Sequence, residues 1–350
     1  MSLEDPDQWA AHPVVWLEDR DLWAAHRLEK PRSWAIGGTD GTESEMLPGS
    51  EAIPAFAATD EQRLAPLSRA RDVGGSKTPI GRPFLKWAGG KGQLIDQLRP
   101  LFPTRFNRYF EPFVGSGAVF FALAPPVAIL SDVNRELIDC YRAVQKHVEK
   151  VIAALSVHEY DEDHYYRVRQ IDPASLTLPE RAARTIFLNK TGYNGLYRVN
   201  RSGEYNVPFG RHVNPGFRHP DRLDNLRACS RALRNVTLKV RDFADLVGDA
   251  RAGDFVYFDP PYVPASRTAA FTAYAAGGFG WPEQERLAEV FCTLTKKGVF
   301  GMLSNSDTAP VRKLYSSFRI DTVLASRSIN SRGDRRGKVG EVVVRNYALG

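Results

Sequence analysis

The chain has 350 residues, a formal net charge of +6, and 43% hydrophobic and 25% charged residues, an ordinary composition for a soluble protein of one large or two moderate domains. No apolar stretch is long enough for a membrane span and the N-terminus lacks the basic-then-apolar pattern of a secretory signal, so we expect a cytoplasmic protein. The three cysteines are odd in number and far apart, which argues against a disulfide framework and against a zinc site.

The charge is unevenly distributed along the chain. Residues 1–82 carry nine Lys and Arg against fourteen Asp and Glu, a net charge of −5 that leaves +11 for residues 83–350. Residues 181–241 alone carry thirteen basic and three acidic side chains. So much positive charge in one segment indicates a polyanionic partner, usually nucleic acid, although a solvated basic face is the simpler alternative.

The first 82 residues predict an acidic extension with little fixed structure. Tryptophans recur every seven residues at positions 9, 16 and 23, so an amphipathic helix that docks on a partner is an alternative for residues 7–27. From residue 37 to 81 the chain is rich in Gly, Ser, Thr, Pro and Glu without sustained periodicity, which is typical of a linker or a disordered tail.

From Pro83 onward strands alternate with helices, which predicts an α/β fold with a doubly wound, mostly parallel sheet. The expected strands cover residues 127–130, 236–240, 255–258 and 299–303. The expected helices begin near residue 118 and cover residues 135–155, 222–233 and 282–297. Because such sheets bind ligands at the carboxyl ends of their strands, the loops that follow these strands are the candidate sites.

A loop containing Gly115 and Gly117 follows a short apolar run and precedes a predicted helix, so a ligand can approach its backbone closely. A dinucleotide site would need a third glycine where Phe120 stands, and a P-loop would need a Lys-Ser or Lys-Thr pair after the glycines. Asp132, just past the next strand, can accept hydrogen bonds from a ribose diol. The loop favours a nucleoside cofactor without a phosphate requirement, and a tight strand-to-helix turn is the alternative.

Residues 83–91 form a second unusual segment. They place Lys86, Trp87 and Lys91 beside two glycines, where the indole ring can cover a ligand and the lysines can meet anions. An ordinary surface loop is the alternative interpretation.

The tetrapeptide Asp259-Pro260-Pro261-Tyr262 ends the predicted strand 255–258. Its prolines fix the backbone and lack N–H donors, so nearby carbonyls are held at set angles to accept hydrogen bonds, while Asp259 adds a carboxylate and Tyr262 an aromatic face. Such a site suits the exocyclic amine of a nucleobase, and a Pro-rich turn is the plainer interpretation.

In this order, the three motifs resemble those of the Dam-type DNA adenine methyltransferases, S-adenosylmethionine-dependent enzymes that methylate the exocyclic amine of adenine. The resemblance covers essentially all of residues 83–348. It extends to further motifs, namely Asp132-Val133-Asn134, Tyr193-Asn194-Gly195-Leu196-Tyr197-Arg198, Tyr205-Asn206-Val207-Pro208-Phe209-Gly210-Arg211, Asp242-Phe243, Ser304-Asn305-Ser306-Asp307 and Arg327-Ser328-Ile329. It implies a catalytic domain over 83–160 and 236–350, with an inserted, mainly helical target recognition region over 161–235.

The resemblance also implies which residues hold the cofactor and the target base. Those assigned to S-adenosylmethionine are Trp87, Lys91, Glu111, Pro112, Phe113, Gly115, Gly117, Asp132, Asp242 and Phe243. Asp132 would meet the ribose hydroxyls, and Asp242 and Phe243 the cofactor adenine. The catalytic residues would be Asp259, Pro260, Pro261 and Tyr262. Asp259 and the Pro260 carbonyl would accept hydrogen bonds from the target amine, Tyr262 would stack on the flipped base, and no metal is expected.

Recognition of GATC in double-stranded DNA is implied for residues 189–212. The residues expected to contact DNA are Lys86, Tyr193, Asn194, Leu196, Arg198, Pro208, Arg211 and His212. Arg198 and Arg211 can each bind a guanine edge, and Tyr193 can fill the space left by the flipped base. The family usually has tyrosine where His212 stands, so a relaxed discrimination at the first base of GATC is a possible variation.

Two alternatives differ in substrate or in activity. Related tetrapeptides act on RNA or on a protein glutamine, but the glutamine enzymes typically begin theirs with asparagine rather than with an aspartate such as Asp259. A DNA-binding protein that has lost catalysis would not need an intact tetrapeptide and cofactor loop. We therefore expect an active, monomeric enzyme, and both a solitary methylase and the protective half of a restriction system fit these residues.

Overall fold

A computed structural model of the protein describes residues 81–200, 202–262, 279–326 and 338–349. The predicted extension up to residue 80 and the motif Arg327-Ser328-Ile329 lie outside these ranges. The strands are β1 (Tyr109–Glu111), β2 (Ala128–Asp132), β3 (Val236–Val240), β4 (Phe255–Phe258), β5 (Phe300–Ser306), β6 (Arg319–Ser326) and β7 (Lys338–Arg345). They form one seven-stranded sheet in the order β3-β2-β1-β4-β5-β7-β6.

The sheet is parallel from β3 to β5, and β7 runs antiparallel to both of its neighbours. All residues of β1 and β4 are buried, as expected for parallel strands covered on both faces. The predicted α/β, mostly parallel sheet is thus confirmed, although β6 and β7 were not expected from the sequence. The chain runs outward from β1 through β2 to β3 and then returns to β4 on the other side of β1, so the topological switch point lies between β1 and β4.

Helices cover both faces of the sheet. They are α1 (Ile95–Leu98), α2 (Ala118–Leu123), α3 (Arg135–Ser156), α4 (Glu162–Gln170), α5 (Leu178–Thr191), α6 (Pro220–Ala232), α7 (Leu246–Asp249), α8 (Trp281–Lys296) and α9 (Ala309–Leu314). Short 3-10 turns lie at Lys91–Gln93, Arg99–Leu101, Pro173–Ser175, Tyr193–Gly195 and Phe243–Asp245. One apolar core packs under α3 and α5 and a second under α8 and α9, which confirms the double winding. None of the helices in the described ranges is long and apolar enough to cross a membrane.

The chain between β2 and β3 contains α3 to α6 and a loop from residue 192 to residue 212, which we name the recognition hairpin after the role predicted for it from the sequence. Its two arms meet through isolated antiparallel bridges, Gly192 with Phe209 and Val199 with Tyr205. This confirms the inserted, mainly helical region. At the other end of the described chain, the Asn225 amide on α6 bonds both the N–H and the carbonyl of Arg82, so the packed structure begins before Pro83.

Candidate active site

A cavity of about 470 Å³ opens beside the switch point, at the carboxyl ends of β1, β2 and β4. Its walls come from residues 87–91, 111, 113–116, 118–119, 132–134 and 259–262, and from Tyr197 of the recognition hairpin. The volume lies within the range of about 300–1,000 Å³ that is usual for small-molecule sites. The topology therefore brings the three segments singled out in the sequence to one place.

Two glycines shape the loop that follows β1. Gly115 and Gly117 have positive φ angles of 45° and 67°, a region that side-chain-bearing residues rarely adopt. A Cβ atom would lie 2.9 Å from the Trp87 ring at position 115 and 2.8 Å from the Tyr141 hydroxyl at position 117. The glycines are thus required by the packing of the protein itself, in agreement with the tight strand-to-helix turn that was the alternative interpretation of this loop.

Two carboxylates lie in the part of the cavity wall that the ends of β1 and β2 form. Glu111 is buried and accepts a hydrogen bond of 2.8 Å from the Tyr109 hydroxyl, and burial raises the pKa of Glu111 to about 8. Asp132 at the end of β2 accepts hydrogen bonds from the Asn134 and Gly115 backbones, at 3.0 and 3.3 Å. Carboxylates beside the aromatic rings of Trp87 and Phe113 suit a cationic nucleoside that carries a ribose diol.

The other residues predicted to hold the cofactor divide into two groups. Trp87, Lys91 and Phe113 line the cavity, as do the two carboxylates and Gly115. Pro112, Gly117, Asp242 and Phe243 do not belong to the lining of the cavity.

Asp242 and Phe243 stand behind the wall. Arg286 of α8 binds the Asp242 carboxylate with two hydrogen bonds of 2.7 and 2.8 Å and lies 4.1 Å from the centre of the Phe243 ring. Phe243 stacks on Phe113, with 5.4 Å between the ring centres. The pair therefore supports Phe113, which does face the cavity.

The tetrapeptide after β4 forms the opposite wall. Lys91 is 3% exposed, and its ammonium nitrogen lies 2.7 Å from Asp259 Oδ1 and donates to the Gly89 carbonyl. Burial raises the pKa of Asp259, and the neighbouring Lys91 opposes that rise. The same ammonium lies 4.6 Å from the centre of the Tyr262 ring. A cation thus occupies the position in front of the acceptor and the aromatic face.

Glu341 of β7 completes this cluster, and nothing in the sequence pointed to it. Its Oε2 accepts a hydrogen bond of 2.6 Å from the Tyr262 hydroxyl and lies 4.0 Å from the Lys91 nitrogen. Because β7 runs antiparallel to its neighbours β5 and β6 and lies far from the tetrapeptide in sequence, its register in the sheet could not be predicted. The signal would have been an isolated glutamate at the start of the apolar run 342–344.

The backbone of the tetrapeptide is held from behind by two buried amides. Gln284 of α8 donates to the Pro261 carbonyl at 2.9 Å and accepts from the Asn305 side chain at the same distance. Both amides are fully buried. The motif Ser304-Asn305-Ser306-Asp307 therefore has a structural role at the site, because Asn305 orients the glutamine that fixes Pro261.

The recognition hairpin gathers most of the residues predicted to contact DNA. Tyr193 is 51% exposed and Asn194 has a positive φ of 54°. Arg198 donates to both the side-chain and the backbone oxygen of Asn206, at 2.6 and 3.0 Å, so it braces the two arms. Pro208 fixes the base of the hairpin, where its carbonyl accepts from the Tyr193 backbone.

The last two predicted residues of the hairpin differ in their surroundings. Arg211 is exposed. His212 turns back towards the protein, with its Nε2 3.1 Å from the Gly192 carbonyl oxygen and its backbone N–H bonded to the Tyr160 hydroxyl. Since a carbonyl only accepts, Nε2 carries the proton, and this side chain closes the hairpin.

The described residues contain no group of three or more His, Cys, Asp or Glu side chains that could hold a metal ion.

Comparison with known proteins identifies what this chain resembles. The family model of the D12 class N6 adenine-specific DNA methyltransferases matches residues 87–329. The type II methyltransferase M1.LlaDCHI of Lactococcus lactis subsp. cremoris is 42% identical over 274 residues, which cover 76% of this chain and 95% of that protein. The type II methyltransferase M.MjaIII of Methanocaldococcus jannaschii is 40% identical over 289 residues, covering 76% and 99%. The DNA adenine methylase of Escherichia coli K12 is 37% identical over 266 residues, covering 75% and 94%.

Proposed function

Because the chain belongs to the D12 class of N6 adenine-specific DNA methyltransferases, we propose that it methylates the adenine of GATC in duplex DNA after flipping that base out of the helix. It uses S-adenosylmethionine. The observation that carries the proposal is the cluster at Asp259, where the Lys91 ammonium lies 2.7 Å from the carboxylate beside the Tyr262 ring. An amine that enters this position meets an acceptor and a stacking surface at once.

The cofactor belongs in the cavity beside the switch point. When bound there, S-adenosylmethionine supplies a methyl group on a positively charged sulfur. Trp87 and Phe113 provide apolar walls, and Asp132 is placed to accept from ribose hydroxyls. Glu111 gains its charge when a cation enters beside it, because the pKa that burial raises falls again near a positive group. Pro112, Gly117, Asp242 and Phe243 support this wall from behind.

Asp259, Pro260, Pro261 and Tyr262 hold the target base. Asp259 and the Pro260 carbonyl accept hydrogen bonds from the adenine amine, which localises the nitrogen lone pair for attack, and the proton leaves for solvent afterwards. The Tyr262 ring, fixed at its hydroxyl by Glu341, stacks on the adenine. For this to happen the Lys91 ammonium must leave the Asp259 carboxylate.

The recognition hairpin and Lys86 read the DNA around the flipped base. Arg198 and Arg211 bind guanine edges, and Leu196 and Pro208 contact the thymine methyl. Tyr193 and Asn194, at the exposed turn, enter the space that the adenine leaves. His212 is engaged with the Gly192 carbonyl, which supports relaxed discrimination at the first base of GATC. In this proposal residues 161–235 form the target recognition region, and residues 83–160 and 236–350 the catalytic domain of a monomeric enzyme.

The test is transfer of labelled methyl from S-adenosylmethionine to duplexes that contain GATC, a scrambled site, or GATC changed at one base pair at a time. We expect N6-methyladenine in the GATC duplex, little in the scrambled one, and the smallest loss for changes at the first base pair. Equal labelling of the GATC and scrambled duplexes, or the absence of N6-methyladenine from every duplex, would refute the sequence assignment.

A further inference from the structure

The recognition hairpin is hydrogen-bonded through Asn189 to residues 83–91, the segment that packs against the cofactor loop, which contains Gly115 and Gly117. The Asn189 side chain at the end of α5 accepts from the Lys86 N–H and donates to the Lys86 carbonyl, both at 2.8 Å. The same amide donates to the Gly195 carbonyl in the hairpin at 3.0 Å, and it is 1% exposed. A buried amide that forms hydrogen bonds with both segments at once fixes their separation, because leaving its partners unpaired would be costly.

Tyr197 extends this link into the cofactor cavity. Its ring stacks on Trp87, with 5.0 Å between the centres and 27° between the planes, and it lines the cavity. Its hydroxyl donates to Glu136 at 2.8 Å, and Glu136 is itself held by the Thr185 hydroxyl. The ring of Tyr205, on the opposite arm of the hairpin, packs against Tyr197 edge-on. The tyrosine is thus fixed at its ring and at its hydroxyl.

Trp87 in turn packs against the cofactor loop. Its ring lies so close to Gly115 that a Cβ there would be 2.9 Å away. The Gly115 N–H in turn donates to Asp132, the residue placed for the ribose. A continuous series of contacts therefore runs from the hairpin through Tyr197 and Trp87 to the cofactor loop.

We propose that Tyr197 is a cofactor-binding residue contributed by the recognition hairpin, and that target recognition and cofactor binding are coupled through its stack on Trp87. The coupling part rests on the proposed role of the hairpin in reading DNA. Arg198 follows Tyr197 directly, so an arginine that leaves Asn206 for a guanine edge moves the backbone that carries the ring. Coupling of this kind is reciprocal. Cognate DNA must therefore increase the affinity for the cofactor by the same factor by which the cofactor increases the affinity for DNA.

The first measurement is S-adenosylhomocysteine binding without DNA, by isothermal titration calorimetry on the full chain. We expect Tyr197→Ala to weaken binding about three- to tenfold, the scale of one aromatic stack, and Tyr197→Phe to stay within about twofold. Val213→Ala is the control, because this exposed residue directly follows the hairpin and lies outside the cavity, so that the affinity of this variant for S-adenosylhomocysteine should be unchanged. Tyr197→Leu, which keeps apolar volume, replaces the alanine variant if that variant does not fold.

The second measurement repeats the titration with a saturating duplex, using the sequence that the enzyme methylates fastest so that an error in the GATC assignment does not affect the result. We expect the wild type to bind S-adenosylhomocysteine at least about fivefold more tightly with this duplex than with a scrambled one, and the ratio to fall towards one in Tyr197→Ala. Unchanged affinity of Tyr197→Ala without DNA would overturn the cofactor-binding role. A ratio near one in the wild type, or an equal ratio in wild type and variant, would overturn the coupling.

Discussion

The two sides of the active site are held by different kinds of interaction. On the cofactor side, Glu111, Asp132 and Asp259 stand at the ends of neighbouring parallel strands, so backbone pairing sets their positions. On the recognition side, the hairpin has two isolated bridges, and side chains of the preceding region hold its carbonyls. Tyr160 bonds Gly210 and Tyr165 bonds Val207.

The difference separates chemistry from specificity. A strand end cannot move without disturbing the sheet, so the groups proposed to position the methyl donor and the amine are fixed by the fold. A hairpin held by side chains can change its contacts while the sheet stays intact. We infer that substitutions on the cofactor side change turnover on every DNA sequence alike, whereas substitutions of the base-contacting residues of the hairpin, which do not include Tyr197, change the choice among sequences.

The largest expected effect is that of Asp259→Ala. Removing the acceptor of the target amine should lower kcat at least about 100-fold on all duplexes, the scale of losing one preorganised hydrogen-bonding group in an active site. Binding of S-adenosylhomocysteine should persist, and the preference among sequences should not change. Because the variant leaves the buried Lys91 without its carboxylate, the double variant Asp259→Ala/Lys91→Met separates lost stability from lost chemistry. Turnover at the wild-type rate in the single variant would show that Asp259 is not the acceptor.

The second effect, of Arg198→Ala, belongs to the hairpin. We expect the ratio of kcat/KM for the cognate duplex to that for a duplex changed at one guanine to fall about 10- to 100-fold, because a bidentate contact with guanine discriminates by about 1–3 kcal/mol. S-adenosylhomocysteine binding without DNA should change much less. Arg234→Ala, an exposed arginine beyond α6, is the control for loss of charge alone. If both variants lowered the rate on every duplex equally, Arg198 would contribute charge and no recognition.

The same contrast explains what could be predicted from the sequence. The strands around the site have strong local signals, so β3 and β4 were located to the residue and Asp259 was correctly placed at a strand end. Contacts between distant segments have no such signal. The sequence alone does not show that Lys91 faces Asp259, or that Glu341 reaches Tyr262 from the reversed strand β7. Both depend on register and side-chain direction, which only the packed structure sets.

We also predict that Glu111, on the cofactor side, makes the stability of the protein depend on pH. Burial raises the pKa of Glu111 to about 8 from an ordinary value of 4.5, so the folded protein binds a proton between these values that the unfolded chain has released. Stability without cofactor should therefore fall as pH rises from about 4.5 to about 8. Glu111→Gln carries a neutral side chain at every pH. Its free energy of unfolding should therefore rise relative to that of the wild type over this range, by on the order of 2 kcal/mol at pH 8.5. Melting temperatures of both proteins from pH 5 to pH 8.5 test this, and parallel curves would contradict it.

The smallest expected effect comes from a matched pair of buried hydroxyls. The Tyr165 hydroxyl donates to the Val207 carbonyl in the hairpin at 2.9 Å, and the Tyr109 hydroxyl donates to Glu111 on the cofactor side at 2.8 Å. Each Tyr→Phe change should cost about 1 kcal/mol of stability, the usual net value of such a hydrogen bond. In Tyr165→Phe the cost should be local, since Arg169 still bonds Val207 and the sheet is untouched. Hydrogen exchange should then quicken several-fold at hairpin amides and stay constant in the cofactor loop, whereas Tyr109→Phe should leave the hairpin amides unchanged. Equal acceleration in both regions would mean that the hairpin opens only with the whole domain, and that side-chain bonds do not hold it separately from the sheet.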